Sequence, residues 1–184
     1  QELNRAVTEL GMVGIQIGCT VREDTLLSDI RLDPFWAEAQ RLDVAVAVHG
    51  PALPSFFRGY FDVNRPDQLL EVSHMAHTFS QMMACSNVIT SGVLERFPKL
   101  RIAFLEAGGG WVPYWMNRMD EYNEVAPERW ASLSAKPSED MVSIAEGLTG
   151  HGRLPSCPCC LGLARFSSSG QNLAKSIYRS SNPS

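Results

Sequence analysis

Three short apolar runs divide the chain, and stretches of apolar residues with helical spacing lie between them. The runs are 12–18, 44–48 and 101–105. The second run contains only Val and Ala, which is typical of a strand in a parallel sheet that is covered on both faces. Strands that alternate with helices indicate right-handed βαβ units. We therefore expect an α/β fold whose strands include these three runs.

Four helices and one helical turn are predicted beside these strands. They cover 2–10, 33–42, 66–91 with a break near His77, the turn 93–96, and a segment from about 111. Asp33 is expected to cap the second helix, with Pro34 in its first turn. Trp111 and Trp115 lie one turn apart on the last helix. We expect both indole rings to belong to the core rather than to a substrate pocket.

The composition is that of a folded domain and excludes some function classes. The chain has 184 residues, of which 45% are hydrophobic and 20% are charged. Its formal net charge of -4 argues against a nucleic-acid partner. No apolar run approaches the roughly 20 residues of a membrane span. No signal peptide is visible and the first residue is not Met, so we interpret the chain as a fragment or a truncated gene model in the cytoplasm.

The composition changes sharply after Glu146. Asp and Glu are absent from 147 to 184, where Ser, Cys, Pro and basic residues dominate. Cys157, Cys159 and Cys160 lack the paired spacing of a zinc site, and we interpret them as an incidental cluster. We therefore divide the chain into a domain at 1–146 and an aberrant or disordered tail at 147–184. A reading-frame error is the favoured explanation, because the tail interrupts a βα pattern.

Two polar residues follow apolar strands directly and are the main candidates for chemistry. His49 follows the second run, Glu106 follows the third, and each precedes a small residue. In barrels of alternating strands and helices, active sites gather at the carboxyl ends of the strands. A neutral imidazole is a good metal ligand, and a carboxylate can bind a metal or position water. Either residue alone is often a solvated loop residue, but the pair at equivalent positions favours a site.

Other motifs carry less weight. His74 and His77 are three residues apart and can share a helix face, yet such pairs more often have no ligand role. The loop around Phe56 to Phe61 can line a pocket or cover the barrel. The three glycines at 108–110 can present N–H groups to an anion, but they lack the spacing of a dinucleotide site.

The sequence resembles a known family in two segments. Residues 92–100, GVLERFPKL, followed by 104–111, FLEAGGGW, resemble the amidohydrolase-related family, which includes aminocarboxymuconate-semialdehyde and γ-resorcylate decarboxylases. Residues 46–49 resemble its mid-barrel histidine strand, and 33–42 resemble the preceding helix. The resemblance covers roughly Gln1 to Asn123.

This resemblance implies a metal-dependent (β/α)₈ TIM barrel, of which the chain would hold only the central βα units. The family's metal is held by an N-terminal H-x-H or E-x-H pair, by the histidine that matches His49, and by an aspartate near the C-terminus. The position that matches Glu106 is often a histidine that acts on substrate or water. Glutamate there resembles a subgroup and leaves the acid/base role of Glu106 open.

Two parts of the family pattern are missing. The N-terminal pair is absent, and 166–170 has no carboxylate where the C-terminal aspartate is expected. With His49 as the single matching ligand, we expect this chain to hold no metal. The complete parent is expected to bind a divalent ion, zinc or similar. By resemblance its reaction is hydrolysis or non-oxidative decarboxylation of a small carboxylated or aromatic compound, and a homodimer is expected.

Two alternatives remain open from the sequence. The chain can be a non-catalytic binding protein on a degenerate barrel, for which the missing ligands and the aromatic loop are the support. It can also have no stable function, since a partial barrel leaves strand edges and an apolar face uncovered.

Overall fold

The computed structural model describes residues 1–22, 25–50 and 75–141. The strands in these ranges are β1 (Gly14–Ile17), β2 (Thr20–Arg22), β3 (Thr25–Leu26), β4 (Ala45–Val48) and β5 (Ile102–Phe104). The helices are α1 (Glu2–Thr8), α2 (Asp33–Arg41), α3 (His77–Thr90), α4 (Val93–Arg96) and α5 (Val112–Val125), with 3₁₀ turns at Ile30–Leu32 and Pro127–Arg129. Residues 137–141 are also helical. None of these helices is both long and apolar enough to cross a membrane.

The three predicted strands form one parallel sheet, in the order β1-β4-β5. Val46, in the central strand, lies opposite Ile15 on one side and Ile102 on the other. This arrangement confirms the predicted βαβ units. The carboxyl ends of β4 and β5 therefore meet at one edge of the sheet, which places the residues that follow them close together.

Side chains of the sheet belong to the hydrophobic core. Val46 and Val48 of β4 are fully buried, and all of β5 is buried. Trp36 on α2 is fully buried, and its indole N–H donates to the Leu27 carbonyl at 3.0 Å. Burial of an aromatic side chain with its N–H satisfied is a large stabilising contribution.

The two cysteines of the described ranges are buried thiols, as expected. Cys85 on α3 is fully buried, and burial raises the pKa of its thiol to about 12. The Cys19 thiol donates to the Gly50 carbonyl at 3.0 Å. That contact anchors the backbone directly after His49.

One prediction about α2 is wrong. Asp33 is the first residue of the helix, Leu32 occupies the N-cap, and no side chain caps this end. The Asp33 carboxylate instead lies 3.1 Å from Nη2 of Arg96, just before β5. A long-range ion pair thus replaces the local capping bond. The antiparallel β2–β3 pair was not predicted, because strands of three and two residues carry no readable periodicity.

Several predicted features lie outside the described residues. They are the first part of the helix from 66, His74, the aromatic loop around 56–61, the cysteine cluster at 157–160, and the tail with its boundary at 146.

Candidate metal centre at the carboxyl edge of the sheet

His49 is held at the end of β4 by its backbone and by a neighbouring amide. Its N–H donates to the Ile17 carbonyl at 2.9 Å, which continues the sheet ladder by one residue. Its Nδ1 lies 3.4 Å from Nε2 of Gln16. In this orientation the amide donates to Nδ1, and the proton of the neutral ring is on Nε2. Rotation of the amide would let Oε1 accept a proton from Nδ1, which would free Nε2 as a ligand.

Glu106 is presented by an uncommon backbone conformation. Its φ angle is 61°, in the left-handed region that few residues other than Gly, Asn and Asp adopt. The preceding residue still belongs to the ladder, because Leu105 N donates to the Val48 carbonyl at 3.0 Å. The chain therefore leaves the sheet abruptly at Glu106. Strained conformations of this kind cluster at functional sites.

The side chains of His49 and Glu106 meet. Nε2 of His49 and Oε2 of Glu106 are 3.0 Å apart. Nε2 is shielded from solvent but is poorly aligned for a hydrogen bond to that oxygen, so the contact is weaker than a linear bond. It is still close enough that the hydrogen bond and charge of His49, with a smaller effect of His77, lower the pKa of Glu106. Glu106 is half-exposed and is thus ionised at neutral pH.

A third donor comes from the start of α3. Nε2 of His77 lies 2.9 Å from the Leu105 carbonyl. A carbonyl only accepts, so Nε2 carries the proton, and Nδ1 of the neutral ring keeps its lone pair. The rings of His49 and His77 meet edge to face, with centroids 5.2 Å apart. One donor atom from each of His49, His77 and Glu106 lies within 4.8 Å of the others.

The sequence predicted two members of this cluster and passed over the third. His49 and Glu106 lie together, as expected from their equivalent places after neighbouring strands. His77 was considered only as a partner of His74, which lies outside the described residues. The informative signal was the predicted helix break near His77, because a helix that begins there can direct its first side chains toward the sheet edge.

The two tryptophans, which were predicted to belong to the core, are half-buried and lie at its margin. Trp111 and Trp115 pack against the core. The Trp111 indole N–H donates to the Ala107 carbonyl at 3.0 Å, and that of Trp115 donates to Oγ of Ser86 at 2.5 Å. Both contacts hold α5 in place beside the loop that carries Glu106.

Residues 1–140 match the sequence model of a family described as amidohydrolase. The chain belongs to the amidohydrolase family. This match agrees with the resemblance, which covers roughly Gln1 to Asn123, and extends it to residue 140.

Two curated amidohydrolase relatives are decarboxylases. The chain is 29% identical over 140 residues to 2-amino-3-carboxymuconate-6-semialdehyde decarboxylase of Dictyostelium discoideum, covering 73% of this chain and 35% of that protein. It is 31% identical over 136 residues to gamma-resorcylate decarboxylase of Rhodococcus jostii (strain RHA1), covering 67% and 39%. The chain thus spans between a third and two fifths of the length of these relatives.

A solved amidohydrolase structure extends the comparison to three dimensions. The dihydroxybenzoic acid decarboxylase of Polaromonas sp. JS666, solved with bound manganese and the inhibitor 2-nitroresorcinol, is 25% identical with a TM-score of 0.62. The match covers 77% of this chain and 43% of that one. The sheet β1-β4-β5 and its helices are therefore part of a (β/α)₈ barrel, which confirms the predicted fold class.

The donor set of this amidohydrolase chain suits a divalent metal. Two imidazoles and a carboxylate are ligands that first-row divalent ions accept readily. Three protein ligands with an open position are the usual arrangement of a catalytic metal site. The convergence of one donor atom from each of these three residues within 4.8 Å is the observation that most favours a cation here.

Proposed function

We propose that the complete protein is a metal-dependent decarboxylase of a small carboxylated aromatic compound, and that the His49–Glu106 edge is part of its active site. The observation that supports this most directly is the meeting of a histidine and a carboxylate at the carboxyl edge of a barrel sheet. Relatives named as decarboxylases favour loss of CO₂ over hydrolysis. Hydrolysis of a small carboxylated compound is the second candidate, since the family is described as amidohydrolase.

His49 and Glu106 would hold the metal, or bind the substrate beside it. A divalent ion at this edge would supply positive charge that orients a substrate carboxylate or phenolate and offsets its negative charge. The side-chain amide of Gln16 lies beside Nδ1 of His49 and can donate to it or, after rotation, accept from it. A hydrogen bond at Nδ1 would fix the ring while Nε2 binds the metal, as is usual for histidine ligands.

Glu106 accepts a proton before it donates one. Its lowered pKa keeps the carboxylate ionised at neutral pH, so in the resting site it can take a proton from a substrate hydroxyl or from water through the carboxylate oxygen that is left free. In decarboxylation the carbon–carbon bond breaks, CO₂ leaves, and a proton replaces it on the carbon. Glu106, once protonated, is placed to return that proton.

The remaining expectations follow from this assignment. The ligand is a small molecule rather than a nucleic acid or a membrane, the protein is cytoplasmic, and a homodimer is the expected assembly. The net charge of -4 supports the exclusion of nucleic acid. We disfavour a non-catalytic binding protein, because a shielded histidine nitrogen beside an ionised carboxylate is typical of a catalytic or metal site rather than of a binding surface.

The full-length parent tests the proposal. Metal content is measured by elemental analysis, and CO₂ release is followed with 2,6-dihydroxybenzoate and 5-carboxyvanillate as probes, because structural relatives carry these names. Glu106→Gln is expected to lower kcat by about 100-fold or more with the fold intact. His49→Ala is expected to lose both metal and turnover. Glu128→Gln, an exposed carboxylate beyond the far end of α5, is the control. Unchanged metal content and turnover in both site variants would overturn the proposal.

A further inference from the structure

We propose that His77 is a third metal ligand, so that His49, His77 and Glu106 are the ligands that the described part of this chain supplies to a divalent ion. This inference rests on the proposed metal at the same edge, and it goes further by assigning a ligand from α3. It also replaces the expectation that the chain holds no metal, which counted His49 as the single ligand. The observation behind it is that the three donor atoms lie within 4.8 Å of one another.

The orientation of His77 favours ligation. Its Nε2–H donates to the Leu105 carbonyl at 2.9 Å, which fixes the ring plane and the tautomer. Metal-binding histidines commonly donate their other ring N–H to a backbone carbonyl or carboxylate in this way. Because Leu105 immediately precedes Glu106, one hydrogen bond positions two of the three donors. The contact joins residues 28 positions apart, so it also fixes α3 relative to β5.

Without a bound cation, the arrangement of the other two donors is unexplained. Nε2 of His49 is shielded from solvent without a well-aligned partner among the described residues. Glu106 keeps a left-handed backbone where Gly or Asn is better tolerated. Both observations are accounted for by a cation between the side chains, since it would bind Nε2 and repay the strained presentation of the carboxylate.

A metal-free proton relay is the main competing explanation of the same cluster. In that explanation His49 and Glu106 share a proton without an ion. That reading leaves His77 as a structural tie between α3 and β5, whose imidazole could be exchanged for any side chain that donates to the Leu105 carbonyl. The variant that separates the two is therefore one that keeps this donor and removes the imidazole.

His77→Gln meets that requirement. The side-chain amide nitrogen of Gln reaches about as far as Nε2 of His and can donate to the Leu105 carbonyl, while its oxygen is a poor substitute for an imidazole ligand. A ligand role predicts weaker metal binding with unchanged thermal stability of the metal-free chain. A purely structural role predicts unchanged metal binding.

Mn²⁺ titration of the 184-residue chain, followed by the electron paramagnetic resonance signal of the free ion, measures binding directly. Mn²⁺ prefers oxygen and nitrogen donors, so the thiols at 157–160 contribute little to the signal. We expect one ion per chain. His77→Gln, His49→Ala and Glu106→Gln are each expected to raise Kd about tenfold or more, and the control Glu128→Gln is expected to leave it unchanged.

The outcomes separate this inference from the proposed function. If His49→Ala weakens binding and His77→Gln does not, His77 is not a ligand and the proposed metal edge stands. If the unaltered chain binds no Mn²⁺, three donors do not suffice and the inference is overturned. In that case metal content and CO₂ release of the full-length parent decide the proposed function by themselves.

Discussion

Each of the two edges of the β1-β4-β5 sheet carries an acidic residue with a left-handed backbone, but the two carboxylates face different basic side chains. Asp43, just before β4, and Glu106, just after β5, both have positive φ angles, 51° and 61°. Both present a carboxylate to a basic side chain, which is Arg101 for Asp43 and His49 for Glu106. The pairs are similar in distance, each 3.0 Å, and differ in the chemistry of the base.

At the amino edge the base is permanently charged. Nε of Arg101 faces Oδ1 of Asp43, and its Nη2 donates to the Asp43 carbonyl. Asp is comparatively well tolerated in the left-handed region, where it ends α2 in the manner of a helix C-terminal cap. The backbone N–H of Lys99 donates to Oε1 of Gln40 at 2.7 Å. These contacts join the end of α2 to the start of β5.

At the carboxyl edge the base can lose a proton and bind a metal. His49 supplies a lone pair that a guanidinium lacks, and His77 adds a second imidazole beside it. In barrels of this kind the amino edge serves stability and the carboxyl edge serves catalysis. In this chain the left-handed carboxylate faces an arginine at the amino edge and a histidine at the carboxyl edge.

The largest expected effect on stability comes from the amino edge. Arg101→Ala removes a side chain that is 17% exposed together with its bonds to Asp43, and we expect a loss of about 2 kcal/mol in the free energy of unfolding. Urea denaturation measures it. Mn²⁺ affinity of the variant is expected to be unchanged, and Arg129→Ala, at an exposed arginine, is the control. Loss of metal binding in Arg101→Ala would contradict the division between the edges.

A second effect tests whether a carboxylate stabilises the fold only when it meets a cation. Asp140 lies near Glu95, on the helix that leads into β5, and near Glu139. Burial, with smaller contributions from these two carboxylates, raises the pKa of Asp140 to about 6. The folded state therefore keeps a proton that the unfolded state releases above about pH 4, so stability falls as pH rises from about 4 to 6.

Asp140→Asn should remove that pH dependence. We expect a gain of about 1 kcal/mol above pH 6, after allowance for the partial exposure of the side chain, and no gain below pH 4. Thermal melts between pH 3.5 and 7.5 measure both. Glu139→Gln serves as the matched change of charge and should give a smaller gain. An equal gain at all pH values would show that the effect is not electrostatic.

Glycine substitutions of the two left-handed acidic residues provide a third test. The melting temperature is expected to rise for the substitution at the carboxyl edge and to fall for the one at the amino edge. Glu106→Gly relieves the backbone strain and should raise the melting temperature by about 2 °C, while it removes the carboxylate. Asp43→Gly relieves less strain and removes the partner of Arg101, so the melting temperature should fall. A lower melting temperature for Glu106→Gly would mean that Glu106 is structural.

The sequence alone predicted the three strands of the sheet and, at its carboxyl edge, the candidate residues His49 and Glu106. The apolar runs predicted β1, β4 and β5 because strands covered on both faces need continuous apolar residues. His49 and Glu106 followed from their places after such runs. The family resemblance on 92–111 was confirmed by the match over residues 1–140.

The rest depended on contacts between distant residues. The hydrogen bond from His77 to the Leu105 carbonyl spans 28 positions, and no local pattern encodes it. Asp is a common N-cap residue, yet the carboxylate of Asp33 forms an ion pair with Arg96, 63 positions away. The left-handed conformation of Glu106 is also invisible locally, because Glu is rare there.

The smallest effect compares how the carboxylates of the two edges titrate. Glu38, near the end of α2, accepts hydrogen bonds from Arg41 and then Asn4, which lower its pKa to about 2. Its contribution to stability is thus present above about pH 4.5 and is lost as pH falls toward 2. Carboxyl ¹³C NMR should give a midpoint near 2 for Glu38, and Asn4→Ala should raise it slightly. His49→Ala should raise the pKa of Glu106 toward its ordinary value and leave Glu38 unmoved. If the titration midpoint of Glu106 is the same in His49→Ala, the two side chains are not coupled. The proposed difference between the amino and carboxyl edges would then be contradicted.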